Sequence, residues 1–271
     1  MTIAVDQLSL PDGRRISYIR LEPAAQAPHA QVSQIQTETG KRKPEVMWLG
    51  GFRSSMRGGK ADALHAWCET RGLGFTRFDY SGHGETGGDF ETCTISQWLE
   101  EAETVFHQLT KGPVIFIGSS MGAWLTLLLM RRATKIYPDR IRGAVFIAPA
   151  WDMTERLMWG PAPDDIKAEL TEKGVWYRPS AYDDEPYPIT WKLIEDGRAH
   201  LIGGAPFDPG APVRILHGLL DVDVPWAGSI ELASLLKTDD VRITLVKDAE
   251  HRLGRDQDLA LLMREVAELA G

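Results

Sequence analysis

Short apolar runs alternate with amphipathic stretches along most of the chain. Arg14–Arg20 follows a Pro11-Asp12-Gly13 turn and alternates in the manner of a strand. Val46–Leu49 and Phe75–Phe78 are short apolar strands, and between them Ala63, Leu64, Trp67 and Cys68 share one face of a helix over Ala61–Thr70. The pattern repeats as a helix over Ile95–Leu109, a strand over Val114–Ile117, a helix over Ser120–Arg131 and a strand over Gly143–Ile147. It returns after a gap as strand Val213–Leu216, helix Trp226–Leu236, strand Val241–Val246 and helix Asp256–Leu269. Continuously apolar strands that alternate with helices predict an α/β fold, a mostly parallel sheet with helices on both faces.

Two segments depart from this pattern. Residues 22–44 have little periodicity and read as a loop or an extended hairpin connection. Residues 150–210 hold four of the nine tryptophans, Trp151, Trp159, Trp176 and Trp191, with many prolines and the acidic pairs Asp164-Asp165 and Asp183-Asp184. They read as an inserted lid, leaving residues 1–149 and 211–271 as one core domain. The charge-free stretch Pro113–Met130 imitates a membrane span, but its centre, Gly118-Ser119-Ser120-Met121-Gly122, breaks a helix. A strand, a sharp turn and a buried helix are expected there, with no membrane span.

Composition narrows the function classes. The chain has 271 residues, 43% hydrophobic and 25% charged, ordinary for a globular protein. Its net charge of −8 is the wrong sign for a general nucleic-acid binder, so no nucleic-acid partner is expected. Two cysteines, Cys68 and Cys93, exclude a disulfide framework and a four-cysteine zinc site. With free thiols and no secretory signal pattern at the N-terminus, a cytoplasmic location is expected.

Gly118-Ser119-Ser120-Met121-Gly122 fits G-x-S-x-G between a strand and a helix, which makes Ser120 the candidate nucleophile. The plainer alternative is a turn that only joins strand to helix. A serine hydroxyl needs a base, and the base needs an orienting acid. Asp221 is the candidate acid, with Asp223 its competitor, and His251 is the candidate base in the loop after the last strand. His217 reads as structural. An oxyanion hole needs two backbone donors, and the amides of Phe52, after Gly50-Gly51, and of Met121 are the candidates. Trp176 and Trp151 are the candidate substrate-binding residues, since tryptophan offers apolar area with a polar edge. In Asp79–Thr86 the glycines read as a structural turn, with Asp79 bonding backbone amides. The histidines and acids lack metal-ligand spacing, and no cofactor motif occurs; no cofactor is expected.

Taken in order, the segments around Gly51-Phe52, Asp79–Gly84, the Ser120 turn, His217–Asp221 and Glu250-His251 resemble the α/β-hydrolase family, and within it an animal mitochondrial branch of acyl esterases and thioesterases. The resemblance implies a serine hydrolase acting on a small-molecule acyl ester or thioester, with Ser120, Asp221 and His251 in the matching motif positions. Here the turn ends Gly122-Ala123, where that branch has a glycine pair, and residues 22–44 look inserted. A peptidase-like specificity and a non-catalytic receptor on the same fold are the alternatives.

Overall fold

The computed structural model describes residues 3–24, 42–179 and 186–271. Most of the connection expected at 22–44 lies outside them. In chain order the elements are β1 Asp6–Ser9, β2 Arg15–Leu21, β3 Glu45–Leu49, α1 Gly59–Arg71, β4 Gly74–Phe78, α2 Ile95–Leu109, β5 Val114–Ser119, α3 Met121–Ile136 and β6 Ile141–Ile147. The chain continues through α4 Asp164–Lys173, β7 Val175–Arg178, β8 Tyr187–Thr190 and α5 Trp191–Arg198 to β9 Val213–Gly218, α6 Ala227–Leu235, β10 Val241–Val246 and α7 Asp256–Ala270.

Eight strands form one sheet in the order β1-β2-β4-β3-β5-β6-β9-β10. The pairings β1–β2 and β2–β4 are antiparallel, and all the others are parallel. The central strands are apolar along their whole length because both faces are covered. In β3, Met47 and Leu49 join the core under α2 and α3, whereas Val46 and Trp48 join the core under α1 and α7. Phe116 in β5 divides from Ile115 and Ile117 in the same way. The Pro113–Met130 stretch resolves into β5, Ser120 and most of α3. Among the described residues no helix is long and apolar enough to cross a membrane.

Strand β1 was not expected, because Leu8 is its only buried residue and edge strands carry little pattern. The 150–210 stretch also holds more regular structure than its sequence advertised. A π-helical segment over Thr154–Trp159 precedes α4, and β7 and β8 pair as an antiparallel hairpin. These elements are short and half-buried, which erases the periodicity that reveals longer ones. Trp159 and Trp191 pack with ring centroids 4.9 Å apart, and the Arg198 guanidinium lies 5.1 Å from each.

Trp98 on α2 ties this core to the strand ends. It is fully buried, and its Nε1–H donates to the Ser81 carbonyl at 3.1 Å. We expect Trp98→Ala to lower the unfolding free energy by about 3–5 kcal/mol, measured by urea denaturation. A loss below about 1 kcal/mol would contradict the packing described.

Candidate active site

Ser120 sits between β5 and α3 at φ 53° and ψ −117°, a left-handed conformation for a residue with a side chain. Two glycines make the turn possible. A Cβ on Gly122 would fall 2.1 Å from the Leu49 carbonyl oxygen, and one on Gly118 would fall 2.6 Å from Ala123 Cα. Backbone bonds then hold the serine: its N–H donates to the Ile147 carbonyl at 2.8 Å, and its own carbonyl accepts from Ala150 at 3.2 Å. Met121 opens α3, so its N–H has no partner inside the helix and is available to an anion. The chain at Gly51 passes close by, since a Cβ there would lie 3.3 Å from Ser120 Cβ. This brings the Phe52 turn to the serine.

Asp221 and His251 come from the loops after β9 and β10. Those strands are parallel neighbours in register, from Val213 beside Val241 to Gly218 beside Val246. The loops are joined beyond the sheet: Leu220 N–H donates to the Ala249 carbonyl at 3.0 Å, and Leu219 N–H to Val246 at 2.9 Å. Gly218 is required at this crossing, because a Cβ would lie 2.1 Å from the Ala249 oxygen. His251 Nδ1–H then donates to Asp221 Oδ2 at 2.7 Å. The second oxygen, Oδ1, accepts from the amides of Asp223 at 2.9 Å and Val224 at 2.8 Å.

His217 belongs to this arrangement too. It is fully buried, and its Nε2–H lies 3.0 Å from both Asp221 Oδ2 and the Val224 carbonyl, while Nδ1 takes the Ser229 hydroxyl at 2.7 Å. Burial pushes the Asp221 carboxyl up, but the hydrogen bonds from His217 and His251 outweigh it and hold the group well below the usual carboxylate range. Asp221 is therefore an ionised acceptor locked by four donors. Asp221, Asp223 and His251 place possible ligand atoms within 4.8 Å of one another. The four bonds already made by Asp221 describe a hydrogen-bonded carboxylate, not one open to a cation.

A second buried histidine holds the Phe52 turn. Arg53 N–H donates to His83 Nε2 at 3.0 Å, and His83 Nδ1–H donates to the Ser81 carbonyl at 3.1 Å. The ring stands edge-on to Phe90 and Trp98, both at 5.1 Å. Arg53 itself is left-handed at φ 53°, so this bond secures a strained turn. Burial pushes the His83 pKa down to about 4, with the Ser81 carbonyl acting in the opposite sense. The neutral ring is the form that can accept from Arg53. Asp79 serves the same loop cluster, accepting from the amides of Met56 at 2.6 Å and Glu85 at 2.8 Å. The sequence marked Asp79 but not His83.

Ser120 and His251 line one cavity of about 470 Å³, together with Phe52, Tyr187, Met158 and Ile189. The hydrogen bond held in this arrangement is His251–Asp221; Ser120 joins the pair through the shared cavity. Trp176 and Trp151 stand outside the lining, contrary to expectation. Trp151 is buried, donates its Nε1–H to the Gly228 carbonyl at 3.0 Å and is covered by Arg156, 3.9 Å from its ring. Trp176 lies in β7 opposite Ile189 and packs on the main core. The tryptophan that does reach the cavity is Trp48, at the end of β3.

With this geometry in place, comparison with known proteins gives consistent matches. The family described as "Serine aminopeptidase, S33" matches residues 40–182, which include the Ser120 turn but neither β9 nor β10. The chain is 32% identical over 269 residues to the mitochondrial palmitoyl-protein thioesterase ABHD10 of Bos taurus, covering 98% of this chain and 80% of that protein. Among solved structures, a putative hydrolase from Agrobacterium vitis S4 matches with a TM-score of 0.89 and 36% identity over 100% of both chains. The mouse alpha/beta hydrolase domain-containing protein 10 matches with a TM-score of 0.83 and 29% identity over 98% of each.

The His83 bond has a measurable signature. An unfolded imidazole takes its proton near pH 6.5, whereas the folded ring resists until about pH 4. The stability contributed by this residue is complete above the unfolded value and is lost as pH falls toward the folded one. We expect the wild type to lose about 2 kcal/mol more than His83→Gln between pH 7 and pH 5, read from urea unfolding. Identical losses in the two proteins would contradict it.

Proposed function

As the chain belongs to the α/β-hydrolase family, we propose that it hydrolyses carboxylic esters or thioesters through an acyl-enzyme on Ser120. The observation that carries this reading is the single cavity lined by Ser120 and His251, with His251 bonded at 2.7 Å to a buried, ionised Asp221. The name of the Bos taurus relative adds a thioester to the substrate classes considered.

The steps follow from the groups present. His251 takes the Ser120 proton as the oxygen attacks the acyl carbonyl, and Asp221 stabilises the imidazolium. The amides of Phe52 and Met121 receive the oxyanion, where one such donor is worth about 3 kcal/mol. His251 then protonates the leaving alcohol or thiol. Water, deprotonated by the same histidine, releases the acid and restores Ser120. The 150–210 insertion supplies Met153, Leu157, Met158 and Ile189 to the cavity, and we assign it the role of a cap that receives the acyl chain. An aminopeptidase specificity fits less well. It calls for carboxylates to hold a substrate ammonium group, and among the described residues the lining has Asp223 as its one carboxylate against five cations.

We expect Ser120→Ala to lower kcat for p-nitrophenyl octanoate by at least about 10³-fold and Asp221→Asn by about 10⁴-fold. Both variants should keep the wild-type circular dichroism spectrum. A Ser120→Ala protein with more than a tenth of wild-type activity would overturn the assignment.

A further inference from the structure

The cavity beside Ser120 is cationic, although the protein carries a net charge of −8. Among the described residues, Arg53, Arg57, Lys60, Arg178 and Arg252 line it against Asp223 alone. Some of this charge is already matched: Arg57 pairs with Glu85. Arg53, Lys60 and Arg178 have no carboxylate partner within salt-bridge distance among the described residues. The Arg53 guanidinium rests on the rings of Phe90 and Tyr187, at 5.4 and 5.5 Å. The Lys60 ammonium donates to the carbonyl of Arg252, so its neighbour is another cation's backbone. Burial, followed by the charge of Arg252, pushes the Lys60 pKa down to about 8. Like charges crowded into a partly dry cavity repel one another, and a bound anion would relieve that repulsion.

Their position indicates which half of the substrate carries the anion. The leaving group departs beside the histidine that protonates it. Arg252 follows His251 directly, and Lys60 is bonded to Arg252. The apolar residues Met153, Leu157, Met158 and Ile189 come from the insertion, which also contributes Arg178 at the end of β7. The cavity thus joins an apolar part to a cationic part. Three cations without carboxylate partners among the described residues exceed what one carboxylate neutralises and match a multiply charged group.

We propose that the leaving group of the substrate carries phosphate, so that the enzyme acts on acyl thioesters of phosphorylated thiols of the phosphopantetheine type. This rests on the hydrolase reading above. In the reaction the acyl–sulfur bond breaks as the Ser120 oxygen–acyl bond forms, and the Ser120 proton passes through His251 to the departing sulfur. Lys60, Arg178 and Arg53 hold the phosphate and take no part in proton transfer.

The test compares three octanoyl thioesters by kcat/KM: that of coenzyme A, which carries phosphates, that of glutathione, which carries carboxylates, and that of N-acetylcysteamine, which is neutral. We expect the coenzyme A ester to exceed the neutral one by at least about 10-fold at low salt, with the glutathione ester between them. The ratio of coenzyme A to neutral ester should fall below about threefold in 0.5 M salt, because screening removes the attraction. The same fall is expected in Arg178→Gln, on the half-buried β7, and in Lys60→Gln. Free coenzyme A should also bind Ser120→Ala in calorimetry and bind Arg178→Gln more weakly than the wild type. Equal kcat/KM for the coenzyme A and neutral esters would overturn the phosphate proposal and leave the Ser120 hydrolase intact. A glutathione ester as good as that of coenzyme A would overturn phosphate in favour of carboxylate. Hydrolysis that survives Ser120→Ala, or no hydrolysis of any ester, would overturn the hydrolase reading and this proposal with it.

Discussion

Ser120 is held in a backbone conformation that costs a residue with a side chain about 1–3 kcal/mol, and everything around it is arranged to keep it there. The left-handed φ of 53° turns the chain from β5 into α3 within one residue. That turn works only if α3 lies almost against β3 and β5, which is why Gly122 and Gly118 have no room for a Cβ. The close approach also brings the Gly51–Phe52 turn to the serine and opens α3 at Met121. One constraint thus presents a hydroxyl and two candidate oxyanion donors at the same end of the sheet. The strain is met by burial: β5, β6 and the start of α3 are covered on both faces and cannot relax without opening the core.

The remaining groups reach that end through strand order. β9 and β10 are in-register neighbours, and Gly218 lets their following loops cross so closely that Ala249 accepts a backbone bond from Leu220. Asp221 and His251 are fixed relative to each other by this crossing, and the two are 30 positions apart in the chain. His217 and His83 perform comparable tasks from beneath. One steadies the carboxylate and the other steadies the Phe52 turn, each through a buried ring whose nitrogens are bonded on both sides. The cavity that Ser120 and His251 share also holds Arg53, Lys60 and Arg178, with no carboxylate within salt-bridge distance of them among the described residues.

The core was legible because strands buried on both faces must be apolar throughout, and Val46–Leu49, Val114–Ile117 and Gly143–Ile147 all announced themselves that way. The Ser120 turn was legible because its glycines answer to a local steric need. The choice between Asp221 and Asp223 rested on the family resemblance of His217–Asp221; in the structure Asp221 meets His251, while the Asp223 amide donates to Asp221. Residues whose role depends on direction were harder to find. Trp151 and Trp176 have the right chemistry for a pocket, yet their rings face Arg156 and the core. His83 gave no sign of its bond to Arg53, since nothing local to the Gly82-His83-Gly84 turn identifies a partner so far upstream. Trp48 looked like a strand residue and is one, but it also lines the cavity of the site.

Peptide mapping of a covalent adduct shows whether Ser120 is the nucleophile. After treatment with a fluorophosphonate, one added group per chain is expected, located by mass spectrometry on Ser120 and reduced in Asp221→Asn. An adduct on another residue, or none on a folded wild-type protein, would contradict it.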